Sequence, residues 1–142
     1  MNTKKLYSVA VYLRLSRDDI TLKNADRKEE NSKIESNSIG FQKELIYSFI
    51  TKNKDMKLFD TYIDDGYSGV DFNRPAFKRM ISDVKAGLIN CIIVKDLSRF
   101  GRDYIETGRF IQKIFPKLNV RFIAINDFFD TLTADFNETS VV

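Results

Sequence analysis

Apolar residues recur along the chain with two different periods, and the change of period marks out the elements. Tyr7–Leu15 alternates, with Val9, Val11, Leu13 and Leu15 on one side and Tyr12, Arg14 and then Ser16 on the other, and predicts a strand. Lys57 to Ile63, Asn90 to Lys95 and Val120 to Ile125 predict further strands. Between them the stripe Gln42, Leu45, Ile46, Phe49 follows helical spacing, as does Phe77, Met80, Ile81, Val84 with Gly87 as its C-cap. A third helix, about Asp103 to Phe115, carries Tyr104, Gly108, Ile111 and Phe115 on one side. This alternation predicts an α/β fold, a three-layer sandwich around a mostly parallel sheet of roughly four to five strands. Ligands of such sheets sit beyond the carboxyl ends of the strands, which directs attention to the residues after Leu15, Ile63, Lys95 and Ile125.

One segment fits neither period. From Arg17 to Ser38, 11 of 22 residues are charged and only Ile20, Leu22, Ala25 and Ile34 are apolar. It cannot bury enough surface to offset the entropy of ordering, so a long mobile loop is expected over about 17–38. The remainder of the 142 residues fits a single domain. No apolar run approaches the roughly 18 residues of a membrane helix, and no signal peptide opens the chain.

Composition then removes whole classes of chemistry. Histidine is absent, which excludes Ser-His-Asp triads, Cys-His dyads and histidine metal sites within the chain. The single cysteine, Cys91, excludes an internal disulfide and a cysteine-rich zinc site. A net charge of +3 permits a nucleic-acid partner without demanding one.

Several residues break the rules of their own elements. Arg14 and Ser16 reach the carboxyl end of the first strand from one face, a placement that also suits an edge strand with a surface arginine. Gln42 stands first in an apolar stripe, near a helix start capped by Ser38, where an amide needs a polar neighbour. Arg74 precedes Pro75 at a helix cap, where a cation opposes the dipole unless an anion binds between it and the backbone N–H groups. Asp64-Asp65-Gly66-Tyr67-Ser68-Gly69, before it, is glycine-punctuated loop chemistry. After the third strand comes Lys95-Asp96-Leu97-Ser98-Arg99-Phe100-Gly101-Arg102-Asp103, in which Ser98 as a cap would put Arg99 and Arg102 on one helical face. Each feature alone also fits a solvated helix start or a surface charge. Together, four arginines, a serine and a glutamine fall on one edge of the sheet. Guanidinium forks match phosphate oxygens, so a serine among them points to phosphoryl transfer with a serine nucleophile.

These motifs (Tyr12-Leu13-Arg14-Leu15-Ser16, Ser38-Ile39 to Gln42, Asp65-Gly66-Tyr67-Ser68-Gly69 leading to Arg74-Pro75, and Leu97 to Asp103) resemble the catalytic domain of serine recombinases, the resolvase/invertase superfamily. The wording is most like the large members that move conjugative transposons. The resemblance implies that Ser16 attacks a DNA phosphodiester to give a 5′-phosphoserine, followed by strand exchange and religation. It implies that Arg14, Arg74, Arg99 and Arg102 bind the scissile phosphate with Gln42 assisting, and that Tyr12, Ser98 and Asp96 complete the substrate contacts. It implies no metal and no cofactor. The partners are double-stranded DNA at specific sites and a homodimer that pairs into a synaptic tetramer, in a bacterial, cytoplasmic, DNA-associated protein. One departure stands out: resolvases commonly carry aspartate where this chain has Ser98, and a serine is no proton carrier at neutral pH. Asp96 is the nearest carboxylate in sequence. Residues 1–142 are then the catalytic domain, with a dimerisation helix beginning after about 135 and DNA-binding domains outside this fragment.

Two other classes compete. A phospho-acceptor receiver domain would use Asp18, Asp19, Asp64 or Asp65 with Lys95 around Mg²⁺, leaving the arginines without a role. A catalytically silent dimerisation module would keep the fold and lose the chemistry.

Overall fold

The computed structural model describes residues 5–15, 39–65, 74–101 and 103–133. Strand β1 (Tyr7–Leu15) is followed by helix α1 (Ile39–Lys52), strand β2 (Met56–Asp65) and helix α2 (Pro75–Lys85). Strand β3 (Cys91–Val94) leads into a single helical turn, α3 (Leu97–Phe100). Helix α4 (Tyr104–Arg109) continues through a π-helical turn at Phe110–Ile114 into α5 (Phe115–Lys117), and strands β4 (Arg121–Ala124) and β5 (Phe129–Asp130) follow. The expected α/β architecture is present: the strand order is β2-β1-β3-β4-β5, parallel except for the β4–β5 pair. The expected polar loop at 17–38 and the expected helix after 135 lie outside the described residues.

Alternation divides the sheet's side chains between two cores. Ala10, Tyr12, Tyr62, Ile92, Val94 and Phe122 pack against α2 and the α4–α5 segment through Phe77, Met80, Phe110 and Phe115. Val9, Val11, Leu13, Cys91, Ile93 and Ile123 form the opposite core with Ile46 and Ile50 of α1. β1 lies between β2 and β3, with both its faces covered. That corrects the edge-strand alternative: Arg14 is fully buried. Proline at its first turn opens α2, and Gly87, at φ 82°, turns the chain away just past its end in the left-handed region that favours glycine. Among the described residues, no helix is long and apolar enough to cross a membrane.

Candidate active site

The site is organised around turn α3, because a one-turn helix leaves nearly all its backbone polar groups without an internal partner. Carboxylates satisfy its first N–H groups. Asp96 Oδ1 accepts from Arg99 N at 3.1 Å, and Asp127 Oδ2, from the turn after β4, accepts from Leu97 N at 2.6 Å. Ser98, expected to cap the turn, instead donates its exposed hydroxyl to Asp96 Oδ1 at 2.6 Å. Aspartate takes the cap because the turn begins at Leu97, which puts Asp96 at the capping position and Ser98 inside the turn.

Arginines satisfy the carbonyls at the other end. Arg14 donates through Nη2 to Ser98 O at 2.7 Å and through Nε to Arg99 O at 3.3 Å. Arg74 Nη2 donates to Phe100 O at 2.5 Å. Three consecutive carbonyls are thus bound by side chains from β1 and from the start of α2. The link is returned by Arg99, whose Nη1 donates to Arg14 O at 3.2 Å, and by Gln42, whose Nε2 donates to the same oxygen at 3.2 Å. Gln42 reaches it from α1, on the other face of the sheet. All four side chains are buried. The turn itself is pinned by Phe100, whose ring meets Phe77, Phe110, Phe115 and Phe122 at centroid distances of 5.0–5.8 Å.

The cap of α2 differs from its expected form. Its N–H groups do not wait for an outside anion: Asp64, from the end of β2, accepts from Ala76 N and Phe77 N, each at 2.9 Å. Arg74 turns instead against the rings of Tyr12 and Phe77, its Cζ 5.2 and 4.9 Å from their centroids. Tyr12, expected among the substrate contacts, is fully buried and donates its hydroxyl to Asp64 Oδ2 at 2.8 Å. Burial pushes its phenol well above the ordinary range; Arg74 opposes the rise and Asp64 adds to it, so the hydroxyl remains a donor. Asp64 is also lost to a receiver-type acidic pocket, since three donors within the fold occupy its carboxylate.

The structure therefore brings together Arg14, Gln42, Arg74, Arg99, Asp96 and Ser98 at the carboxyl ends of β1 and β3. Ser16 and Arg102 lie outside the described residues. Turn α3 ends at Phe100, and Gly101 is extended at φ 179°. Three residues that build the site carried no mark as site residues. Asp127 stands just past β4, where the sheet rule already points. Asp64 read as loop chemistry or as part of the receiver pocket, and Phe100 is the one large ring in a polar run.

Comparison with known proteins identifies the family and the fold. The resolvase N-terminal domain family matches residues 9–139. The N-terminal catalytic domain of TP901-1 integrase is similar at 27% identity and a TM-score of 0.72, over 89% of this chain and 83% of that one. A resolvase family site-specific recombinase from Streptococcus pneumoniae is similar at 27% identity and a TM-score of 0.68, over 95% and 82% of the two chains. The catalytic domain of ISC1926 TnpA, an IS607-like serine recombinase, shares the fold at 18% identity and a TM-score of 0.60, over 83% and 70%. No curated protein sequence matches the chain.

Proposed function

The chain belongs to the resolvase N-terminal domain family and is the catalytic domain of a site-specific serine recombinase, and from that premise we propose which residues perform the reaction. The substrate is DNA, and the family works as an oligomer. Ser16 is the nucleophile: its oxygen bonds to phosphorus, the bond from phosphorus to the 3′-oxygen breaks, and that oxygen leaves as a hydroxyl. One phosphodiester is exchanged for another, so religation needs no outside energy source. Arg14, Arg74, Arg99 and Arg102 hold the phosphate and the charge that grows on it in the transition state. Gln42 holds the strand end, and exposed Ser98, backed by Asp96, meets the substrate beside them. Chains pair as homodimers, and two dimers form the synaptic tetramer.

One observation carries this reading. Arg14 O, two residues before Ser16, receives both Arg99 and Gln42, while the Arg14 side chain binds the turn that bears Arg99. The strand end that presents Ser16 and the elements that present the arginines are thus bonded to one another, as in-line attack on a clamped phosphate requires.

In the full-length recombinase, Ser16→Ala abolishes cleavage and the covalent protein–DNA adduct while DNA binding persists. Replacing Arg14, Arg74, Arg99 or Arg102 by alanine slows cleavage by roughly 10²–10³, by analogy with losing one preorganised donor. Lysine rescues poorly, since a point charge does not reproduce a planar fork. An adduct still formed by Ser16→Ala places the nucleophile elsewhere.

A further inference from the structure

Arg74 poses a problem of aim. Its backbone is extended at φ −85°, ψ 133°, its side chain makes no capping hydrogen bond to the helix it precedes, and proline follows it. Phe100 O takes one N–H of the guanidinium, and the tilt of its plane is left to the rings beneath it.

That tilt is set from β1 and β2. Asp64 accepts from Phe77 N and Tyr12 Oη on one oxygen and from Ala76 N on the other. A single buried carboxylate thereby fixes two aromatic rings, Tyr12 through its hydroxyl and Phe77 through its own N–H. Those are the two rings against which the Arg74 guanidinium lies. Tyr12 and Phe77 also meet each other edge to face, at 5.7 Å between centroids and 77° between planes. A guanidinium on such a corner is held by the faces of the rings, and the corner turns if the carboxylate lets go. Asp64 also occupies the N–H groups that open α2, so a phosphate near this helix is met by the arginine and not by the helix end.

We propose that Asp64 and Tyr12 are positioning residues for Arg74: they set the angle at which its guanidinium meets the scissile phosphate, and neither touches DNA. This rests on the reading of Arg74 as a phosphate-binding residue. What separates them from the substrate is their bonding: the Asp64 carboxylate is taken up by three donors within the fold, and the Tyr12 hydroxyl by Asp64.

The test uses the full-length recombinase. Tyr12→Phe keeps the ring and removes the hydroxyl, and Asp64→Asn keeps the shape and removes an acceptor. Each is made in the wild-type and Arg74→Lys backgrounds, with single-turnover cleavage at saturating DNA, DNA affinity and thermal midpoint measured separately. In the wild-type background Tyr12→Phe slows cleavage about 10-fold and Asp64→Asn about 10- to 100-fold, the scale of a small misplacement in a preorganised site, with affinity unchanged within about twofold. In the Arg74→Lys background both effects fall below about twofold, because the group they aim has already been replaced. Any drop in thermal midpoint, by contrast, is the same in both backgrounds.

Equal slowing in the two backgrounds, or none in the wild type, overturns the proposal. If Asp64→Asn does not fold, Tyr12→Phe decides alone. Wild-type cleavage by Arg74→Lys itself would remove Arg74 from the site, and this inference with it, a result distinct from failure of the coupling.

Discussion

The two faces of the sheet are built differently and do different work. Against α1 the core is aliphatic: Val9, Val11, Leu13, Ile93 and Ile123 meet Ile46 and Ile50. Against α2 and the α4–α5 segment it is aromatic, with Phe77, Phe100, Phe110, Phe115 and Phe122 packed mostly edge to face. Aliphatic packing is nearly indifferent to direction, so that face serves chiefly to close the sheet. Ring packing has preferred angles, and the rings here carry the site: Phe100 anchors the turn whose carbonyls bind Arg14 and Arg74, and Tyr12 and Phe77 bed Arg74. The aliphatic face meets the site through the polar amide of Gln42, whereas on the aromatic face the packed rings themselves hold site residues.

The contrast can be broken at several points. Phe100→Ala should cost about 3–5 kcal/mol of stability, and in molecules that remain folded it should also slow cleavage by about 10²-fold as the turn shifts. Chemical denaturation and single-turnover cleavage read the two effects. Ile46→Ala should cost about 2–5 kcal/mol with cleavage per folded molecule unchanged; a matching loss of cleavage would erase the distinction between the faces. Ile93→Val, in the centre of the aliphatic face, should cost about 0.5–1.5 kcal/mol and leave cleavage alone.

The smallest effect concerns Cys91, on that same face. Burial pushes its thiol up to about 12 from an ordinary 9.0, with Arg121 pulling the other way. Between those values the folded chain keeps a proton that the unfolded chain has lost. Its contribution to stability is therefore complete below about pH 9 and falls as pH rises toward 12. At pH 9, iodoacetamide should label Cys91 only in unfolded molecules, and rapid labelling under native conditions would show the aliphatic face to be open.

Much of the fold is legible in the sequence because periods of 2 and 3.6 are written directly in the apolar positions. β1 coincides with its expected span, and β2, β3 and β4 differ from theirs by a residue or two at the ends. What escapes is whatever depends on partners distant in sequence. Tyr12 and Arg14 alternate as an exposed face would, yet α2 and turn α3 cover them. Asp64 caps a helix that begins 11 residues later, and local rules look for caps next door. Of β5 only Phe129 and Asp130 form strand, too little for alternation to register. At the candidate site, residue types direct attention to the carboxyl edge of the sheet, since arginine and serine there have no use in a core. Asp96 and not Ser98 caps the turn because the turn starts at Leu97, two residues earlier than a Ser98 cap would require, and local spacing does not fix the start of so short a helix.

The reciprocal bonds between Arg14 and Arg99 join residues 85 apart in the chain, and Tyr12 reaches Asp64 across 52. Loops of that length close late in folding. While the polypeptide is being synthesised, β1 leaves the ribosome long before the turn that completes its arginine clamp. Under the proposed reading, a half-made or partly unfolded molecule holds the Ser16 segment without the groups that would aim it at a phosphate. A recombinase built this way acquires its competence to cut only with its last tertiary contacts.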